Sequence, residues 1–188
     1  SSIAQFVEAY SEDVSAIYLV HTYGVPADVI NILNFCKKKK LKLIEDCSQS
    51  PFAYVSTEKG KKFVGNFGDV SAFSTMYRKT LQTSSSGGIV FTKDKNLSKA
   101  LIEYSDRGRP KWSSEYNPRQ PGEVKRVAHN FNTSEIACAI GISSLKRIDK
   151  AINDRFKLVQ YFYSCLSKLD YDLKGMDFPE GSSPFLVP

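Results

Sequence analysis

Residues 68–92 read G-D-V-S-A-F-S-T-M-Y-R-K-T-L-Q-T-S-S-S-G-G-I-V-F-T, two short apolar runs on either side of a polar loop. Val70–Ser74 has the length and apolar character of a buried strand. Ile89–Thr92 is a second run of the same kind, β-branched and aromatic. The loop between them holds one lysine, Lys79, and a flexible pair, Gly87–Gly88. Taken alone, a lysine between two strands is a solvated surface charge.

The lysine gains meaning from Leu41–Gln49, L-K-L-I-E-D-C-S-Q, a strand pattern that ends in two carboxylates and then small polar residues. In open α/β sheets, ligands bind in the crevice outside the carboxyl ends of the strands. Asp46 stands where one such strand ends, and Lys79 follows a later strand. A lysine able to form a Schiff base and an aspartate able to face a pyridinium nitrogen are the protein's share of pyridoxal phosphate (PLP) chemistry.

Working outward, Ser1–Ser15 is expected to form a polar helix and linker, and Ala16–His21 a strand. Gly24 and Pro26 break the chain, and Pro26 is placed to open a helix. From Ala27 to Cys36, residues Val29, Ile30, Ile32, Leu33 and Cys36 mark one helical face, and Leu41–Ile44 is the next strand. Strand, helix and strand at this spacing imply a right-handed crossover and parallel pairing. Phe52–Phe67 reads as a hairpin-like excursion, and Lys95–Tyr104 as an amphipathic helix. Asp106–Lys125, rich in Pro, Gly, Arg and Ser and holding the only tryptophan, Trp112, is a long irregular loop of the kind that carries function. Ser134 can cap a helix through Ala137–Leu145, and Ile148–Leu169 continues as a long helix. The fold class is α/β, a mainly parallel sheet sandwiched by helices.

With 188 residues, 41% of them hydrophobic, the chain can build one sizeable core. The formal charge of +6 is dispersed except at Lys37–Lys40, which reads as the solvated end of a helix rather than a nucleic-acid patch. Cys36, Cys47, Cys138 and Cys165 lack CxxC spacing and read as reduced core thiols, with no metal site. No stretch approaches the roughly 18 apolar residues of a membrane span. No signal-peptide pattern is present either, so a cytoplasmic protein is expected, and the N-x-S/T matches at Asn96 and Asn132 read as accidental. A P-loop and a G-x-G-x-x-G fingerprint are both absent from the sequence.

Several motifs recur together: V-H-T-Y-G-V-P-A-D at 20–28, I-E-D-C-S-Q at 44–49, G-D-V-S-A-F-S at 68–74, then Lys79 and G-G-I-V-F-T at 87–92. D-R-G-R at 106–109 and N-F-N-T-S-E-I-A-C-A-I-G at 130–141 follow. In this order they resemble the DegT/DnrJ/EryC1/StrS family of PLP-dependent sugar aminotransferases of fold type I, over roughly residues 10–165. The resemblance implies PLP as cofactor and Lys79 as the Schiff-base lysine. It implies Asp46 at the pyridine nitrogen, Gln49 at the ring hydroxyl and Ser74 at the phosphate. It also implies that Asn130 reaches the phosphate of a neighbouring subunit in a homodimer. A nucleotide-linked keto-sugar would be the acceptor and glutamate or glutamine the amino donor. Residues 1–150 would be part of the PLP-binding large domain, and 151–188 a long helix and the start of a smaller C-terminal domain. The family's phosphate cup and ring-stacking aromatic do not occur in this sequence, so the chain reads as the middle of a longer enzyme, incomplete at both ends.

Some features stay open at this level. His21, in the V-H-x-Y-G pattern, can be structural at a strand end or serve acid–base work. Thr75, Met76, Tyr77 and Arg78 stand where the family commonly has Phe-Phe-Pro-Thr, Gln82–Ser86 replaces a Gly-rich run, and Asn132 replaces an arginine. These departures bear on the substrate more than on the cofactor. Sugar dehydratases of the same family carry histidine at the lysine position, and Lys79 argues against that activity. Joint retention of Asp46 and Lys79 argues against a non-catalytic binding or regulatory relative.

Overall fold

The computed structural model describes residues 5, 7, 8, 13–119, 124–169 and 178–186. The expected N-terminal helix and linker lie largely outside the described residues. Ala16–Val20 (β1) and Lys42–Asp46 (β2) are joined through a helix, Val29–Lys39 (α1), and pair in parallel with Val20 opposite Asp46. Tyr54–Thr57 (β3) and Gly60–Phe63 (β4) form the expected antiparallel hairpin. Val70–Ser74 (β5) pairs parallel to β2, with Asp46 opposite Ala72. Gly88–Phe91 (β6) returns antiparallel to β5, giving the strand order β1-β2-β5-β6. Lys95–Ser105 (α2), Glu135–Leu145 (α3) and Ile148–Leu166 (α4) follow in the chain. The sheet is therefore mixed and mainly parallel, as expected.

Successive strand residues face opposite sides. Leu19 and Leu43 point to the side covered by α1, where they pack with Val29 and Cys36 against Ile17, Ile32, Leu33, Val55 and Phe67. Farther along that side Cys47, Ala53 and Val64 pack with Phe73. Each fully buried aliphatic side chain contributes on the order of 1.5–3 kcal/mol. The opposite side carries Tyr18, Val20, Ile44, Asp46, Ala72 and Ser74. It is more open, with Tyr18 61% and Val20 39% exposed.

Three expectations are corrected. α1 begins at Val29, not Ala27, because the Ala27 N–H is drawn back to His21 Nδ1 (3.0 Å) and the Ala27 carbonyl accepts from Val29 N in a tight turn. The last helix stops at Leu166, and a 3-10 turn, Ser167–Leu169, follows. Of the four free cysteines only Cys36 and Cys47 are core; Cys138 is exposed and Cys165 half-buried. The expected cap forms at the start of α3, where Ser134 Oγ accepts from Ala137 N, and the structure adds one the sequence reading did not name: Asp94 accepts from Asn96 N and Leu97 N at the start of α2. Among the described residues no helix is long and apolar enough to cross a membrane.

Candidate active site

β2 and β5 run side by side in the same direction, so Asp46 and Ser74 come to the same edge of the sheet and, by alternation, to the same face. Gln49 lies in the turn after β2, and Lys79 in the loop after β5. That loop is braced from three sides. Thr75 N donates to the Gly87 carbonyl and Thr83 N to the Thr75 carbonyl, while the Thr75 and Thr83 hydroxyls meet at 3.0 Å. Arg155 of α4 donates to Thr80 Oγ1, and Gln82 N to Ser144 Oγ of α3. The residues that depart from the family's pattern here supply the loop's own cross-links.

Asp46 is half-buried, with Oδ1 accepting from Ser48 N and Oδ2 from the Tyr18 hydroxyl, both at 2.9 Å. Burial pushes its carboxyl upward, but the Ser48 donors, Tyr18 and the charge of Lys79 outweigh burial and hold it below the usual aspartate value. The carboxylate is thus ionised at neutral pH and within electrostatic reach of the lysine. Lys79 Nζ lies 4.5 Å from the centre of the Phe185 ring, whereas Arg78 stacks on Tyr77. The two neighbouring cations point to different rings.

Gln49 Oε1 accepts from the backbone N–H of Tyr23 at 2.8 Å, so its Nε2 is the end left to donate. Tyr23 takes φ 58°, the left-handed region unusual for an aromatic residue. The turn is held there because Gly24, at φ 93°, lies against the 178–186 stretch: a Cβ at Gly24 would stand 1.9 Å from the Ser183 carbonyl oxygen. Ser183 N donates to the Gly24 carbonyl and Phe185 N to that of Tyr23, which brings Phe185 over Lys79. Ser74 Oγ accepts from Met76 N at 3.4 Å, leaving its O–H to donate elsewhere.

Asn130 belongs to another cluster. It bridges to Asp106 through the backbone, and its Oδ1 accepts from Asn132, whose amide also donates to Asp106 Oδ1 at 2.8 Å. Asp106 is buried and also paired with Arg107 and Lys111. Burial raises its carboxyl, but these partners hold it well below the aspartate range. Asn132, in the arginine's place, ties Asn130 to that anchor. Among the described residues no hydrogen bond or ion pair links this cluster to Asp46 or Lys79. A cleft of about 850 Å³ between β6 and α2, lined in part by Val90, Phe91, Leu101 and Phe131, includes neither Asp46 nor Lys79.

His21 proves structural. It is fully buried, and Ala27 N donates to Nδ1, which leaves the ring proton on Nε2, 3.2 Å from Glu45 Oε2. Glu45 also accepts from Gly65 N at 2.8 Å, Phe67 N at 2.8 Å and Gly68 N at 2.6 Å. Burial raises the Glu45 carboxyl, yet His21 and the three backbone donors bring it below its ordinary value. Cys47 completes a trio with His21 and Glu45, their donor atoms within 4.8 Å. Both His21 nitrogens and both Glu45 oxygens are engaged, so the trio is a packing cluster. Sequence reading missed Glu45 as its anchor and Tyr18 as the partner of Asp46. Alternation alone places Tyr18 and Asp46 on one face but does not supply the register.

The sequence profile of the DegT/DnrJ/EryC1/StrS aminotransferase family matches residues 1–183. The chain is 30% identical over 172 residues to a GDP-perosamine synthase of Escherichia coli O157:H7, covering 89% of this chain and 43% of that protein. An aminotransferase from Psychrobacter cryohalolentis superposes with a TM-score of 0.72 at 28% identity, over 88% of this chain and 42% of that one. A GDP-4-keto-6-deoxymannose-3-dehydratase with bound GDP-perosamine superposes with a TM-score of 0.80 at 23% identity, over 97% and 48%. The chain spans less than half the length of the curated relatives it matches. The sheet is that of the fold type I PLP enzymes.

Proposed function

The chain belongs to the DegT/DnrJ/EryC1/StrS aminotransferase family, and we propose from that premise that it is the central part of a PLP-dependent enzyme transferring an amino group to a keto-sugar nucleotide. The observation that carries the reading is that Asp46 ends β2 within electrostatic reach of Lys79, in the loop after β5, with Ser74 at the same sheet edge and Gln49 in the turn after β2. The donor set fits PLP: an ionised carboxylate for a ring nitrogen, an amide nitrogen for a ring oxygen, a neutral hydroxyl for a phosphate, and an amine for covalent attachment. The matched relative's name, GDP-perosamine synthase, supports a sugar nucleotide as the substrate class.

When bound, PLP supplies the electron sink for charge left on the substrate's amine-bearing carbon. Lys79 would hold the cofactor covalently and, once released, its Nζ would take the proton from that carbon. Asp46 would face the ring nitrogen, and Gln49 Nε2 the ring hydroxyl oxygen. Ser74 would donate to the phosphate, and Asn130 would reach the phosphate held by the partner of a homodimer, an arrangement that a twofold axis makes mutual. Glutamate or glutamine would be the donor, and the enzyme cytoplasmic, serving cell-surface or secondary-metabolite sugars. Residues 1–150 would belong to the PLP-binding large domain and 151–188 to the start of a smaller one. Dehydratases of the family carry histidine at the lysine position, so Lys79 favours transamination.

Borohydride reduction of the PLP-loaded full-length enzyme tests this reading. The label should appear on the peptide holding Lys79, and a label on another lysine would overturn the assignment.

A further inference from the structure

We propose that Tyr18 is a positioning residue for Asp46, its hydroxyl fixing the carboxylate in the one orientation presented to the ring nitrogen. The inference rests on the role given to Asp46 above, and it concerns a residue outside every motif that carries the family resemblance.

Tyr18 stands on β1 two residues before Val20, which is opposite Asp46, so both side chains leave the same face of the sheet. Its Oη donates to Asp46 Oδ2 at 2.9 Å, while Ser48 N donates to Oδ1 at 2.9 Å. The terminal torsion of an aspartate is soft, with broad wells. Two donors on two different oxygens, one from the neighbouring strand and one from the following turn, remove that freedom. Each oxygen keeps acceptor capacity for a ligand.

The ring of Tyr18 does not account for its place. The residue is 61% exposed, so it adds little to the core, and phenylalanine would cover the same surface. What tyrosine adds is the hydroxyl. The groups facing Asp46 are Tyr18 from β1, Ser48 from the turn and Lys79 from the loop after β5. Its chain neighbours Glu45 and Cys47 point into the opposite, buried side. The bond to Asp46, then burial, raise the Tyr18 hydroxyl above its ordinary value, so it remains a donor through the neutral range.

The test compares wild type, Tyr18→Phe, Asp46→Asn and the double variant, all as full-length protein. Without cofactor, carboxyl ¹³C NMR follows the titration of Asp46, and Tyr18→Phe should move its midpoint up by about half to one pH unit, since a donor to the charged form is lost. With ¹⁵N-labelled PLP bound, the pyridine nitrogen should be less fully protonated in Tyr18→Phe. Half-transamination should slow by about three- to tenfold, the size of one hydrogen bond. In the Asp46→Asn background the same change should have no further effect. An unmoved carboxyl midpoint overturns the inference, as does a moved midpoint with ring nitrogen signal and rate unchanged. Failure of PLP to label Lys79 in the wild type is a different result: it overturns the PLP reading itself, and it appears whatever residue occupies position 18.

Discussion

β2 carries one carboxylate on each face, and consecutive positions treat them in opposite ways. Glu45 is fully buried and accepts from His21, Gly65, Phe67 and Gly68, which fills both oxygens. Asp46 is half-buried, accepts from Tyr18 and Ser48, and faces the charge of Lys79. The first ties the 52–68 excursion to the sheet: even a Cβ at Gly68 would come within 2.6 Å of the Leu43 carbonyl oxygen and 3.3 Å of Glu45 Oε1. The second keeps acceptor capacity beside a cation. What separates the two is the number of protein donors already satisfied, four at Glu45 and two at Asp46.

The comparison breaks most visibly at the lysine. Lys79→Ala should leave the fold intact, because the loop is held by Thr75, Thr83, Arg155 and Ser144 rather than by the amine. Transamination should fall by about 10²–10⁴-fold, the worth of a positioned proton carrier. PLP should still bind loosely and non-covalently through Asp46 and Ser74. Single-turnover absorbance and the thermal midpoint together check this, and a variant that reacts at the wild-type rate removes Lys79 from the chemistry.

Exchanging the two carboxylates in turn sharpens the contrast. Glu45→Ala leaves four donors unmatched, those of His21 and Gly65 buried, and should cost about 3–5 kcal/mol of stability. Asp46→Asn keeps the shape and should cost far less stability than Glu45→Ala. It should slow the deprotonation step by about one to two decades, with a smaller effect on the sugar substrate's KM. Denaturant unfolding and single-turnover rates on both variants decide it. If Asp46→Asn unfolds the protein and Glu45→Ala does not, the roles are reversed.

Much of this was legible in the sequence because it depends on periodicity and punctuation. The parallel crossover from β1 to β2 follows from strand–helix–strand spacing, and the placing of Asp46 and Lys79 toward one sheet edge from their positions at the end of β2 and after the parallel β5. Glu45 was visible as a carboxylate but not as an anchor, since three of its four donors are backbone N–H groups with no side-chain signature. The start of α1 was misplaced for a similar reason: a contact from Ala27 to His21 six residues away overrides the local helix pattern. Cys138 lies in an apolar helical segment, which reads as core, yet the residue is exposed. With Ile136 76% and Ile142 57% exposed, that composition does not say which side is covered.

Acid should report on the buried carboxylate. The folded Glu45 carboxyl lies below its ordinary value, so its stabilisation is fully present above the unfolded value, about 4.3, where both states are ionised. As pH falls below that, the unfolded chain takes up its proton first, and the stabilisation drains away until the folded carboxyl protonates as well. Stability measured between neutral pH and pH 3 should therefore drop more steeply for wild type than for Glu45→Gln. Parallel curves would mean that Glu45 contributes no linked proton.

The smallest effects should repeat the contrast one strand over. Ser71 is 1% exposed on the covered face of β5, and its hydroxyl donates to the Gly65 carbonyl at 2.9 Å. Ser74 leaves the other face, and its hydroxyl accepts from Met76 N, keeping its proton to give. Ser71→Ala strips a buried carbonyl of its donor and should cost about 1 kcal/mol of stability, with PLP affinity unchanged. Ser74→Ala loses only a distant 3.4 Å contact, so stability should hold, while one missing donor to a phosphate oxygen should weaken PLP by about five- to tenfold. Pyridoxal, which lacks the phosphate, separates this from general damage, because Ser74→Ala should bind it as wild type does. Equal losses for PLP and pyridoxal would mean that Ser74 shapes the pocket without touching the phosphate. An affinity loss in Ser71→Ala matching that in Ser74→Ala would mean that the two faces of this sheet are not divided between structure and chemistry.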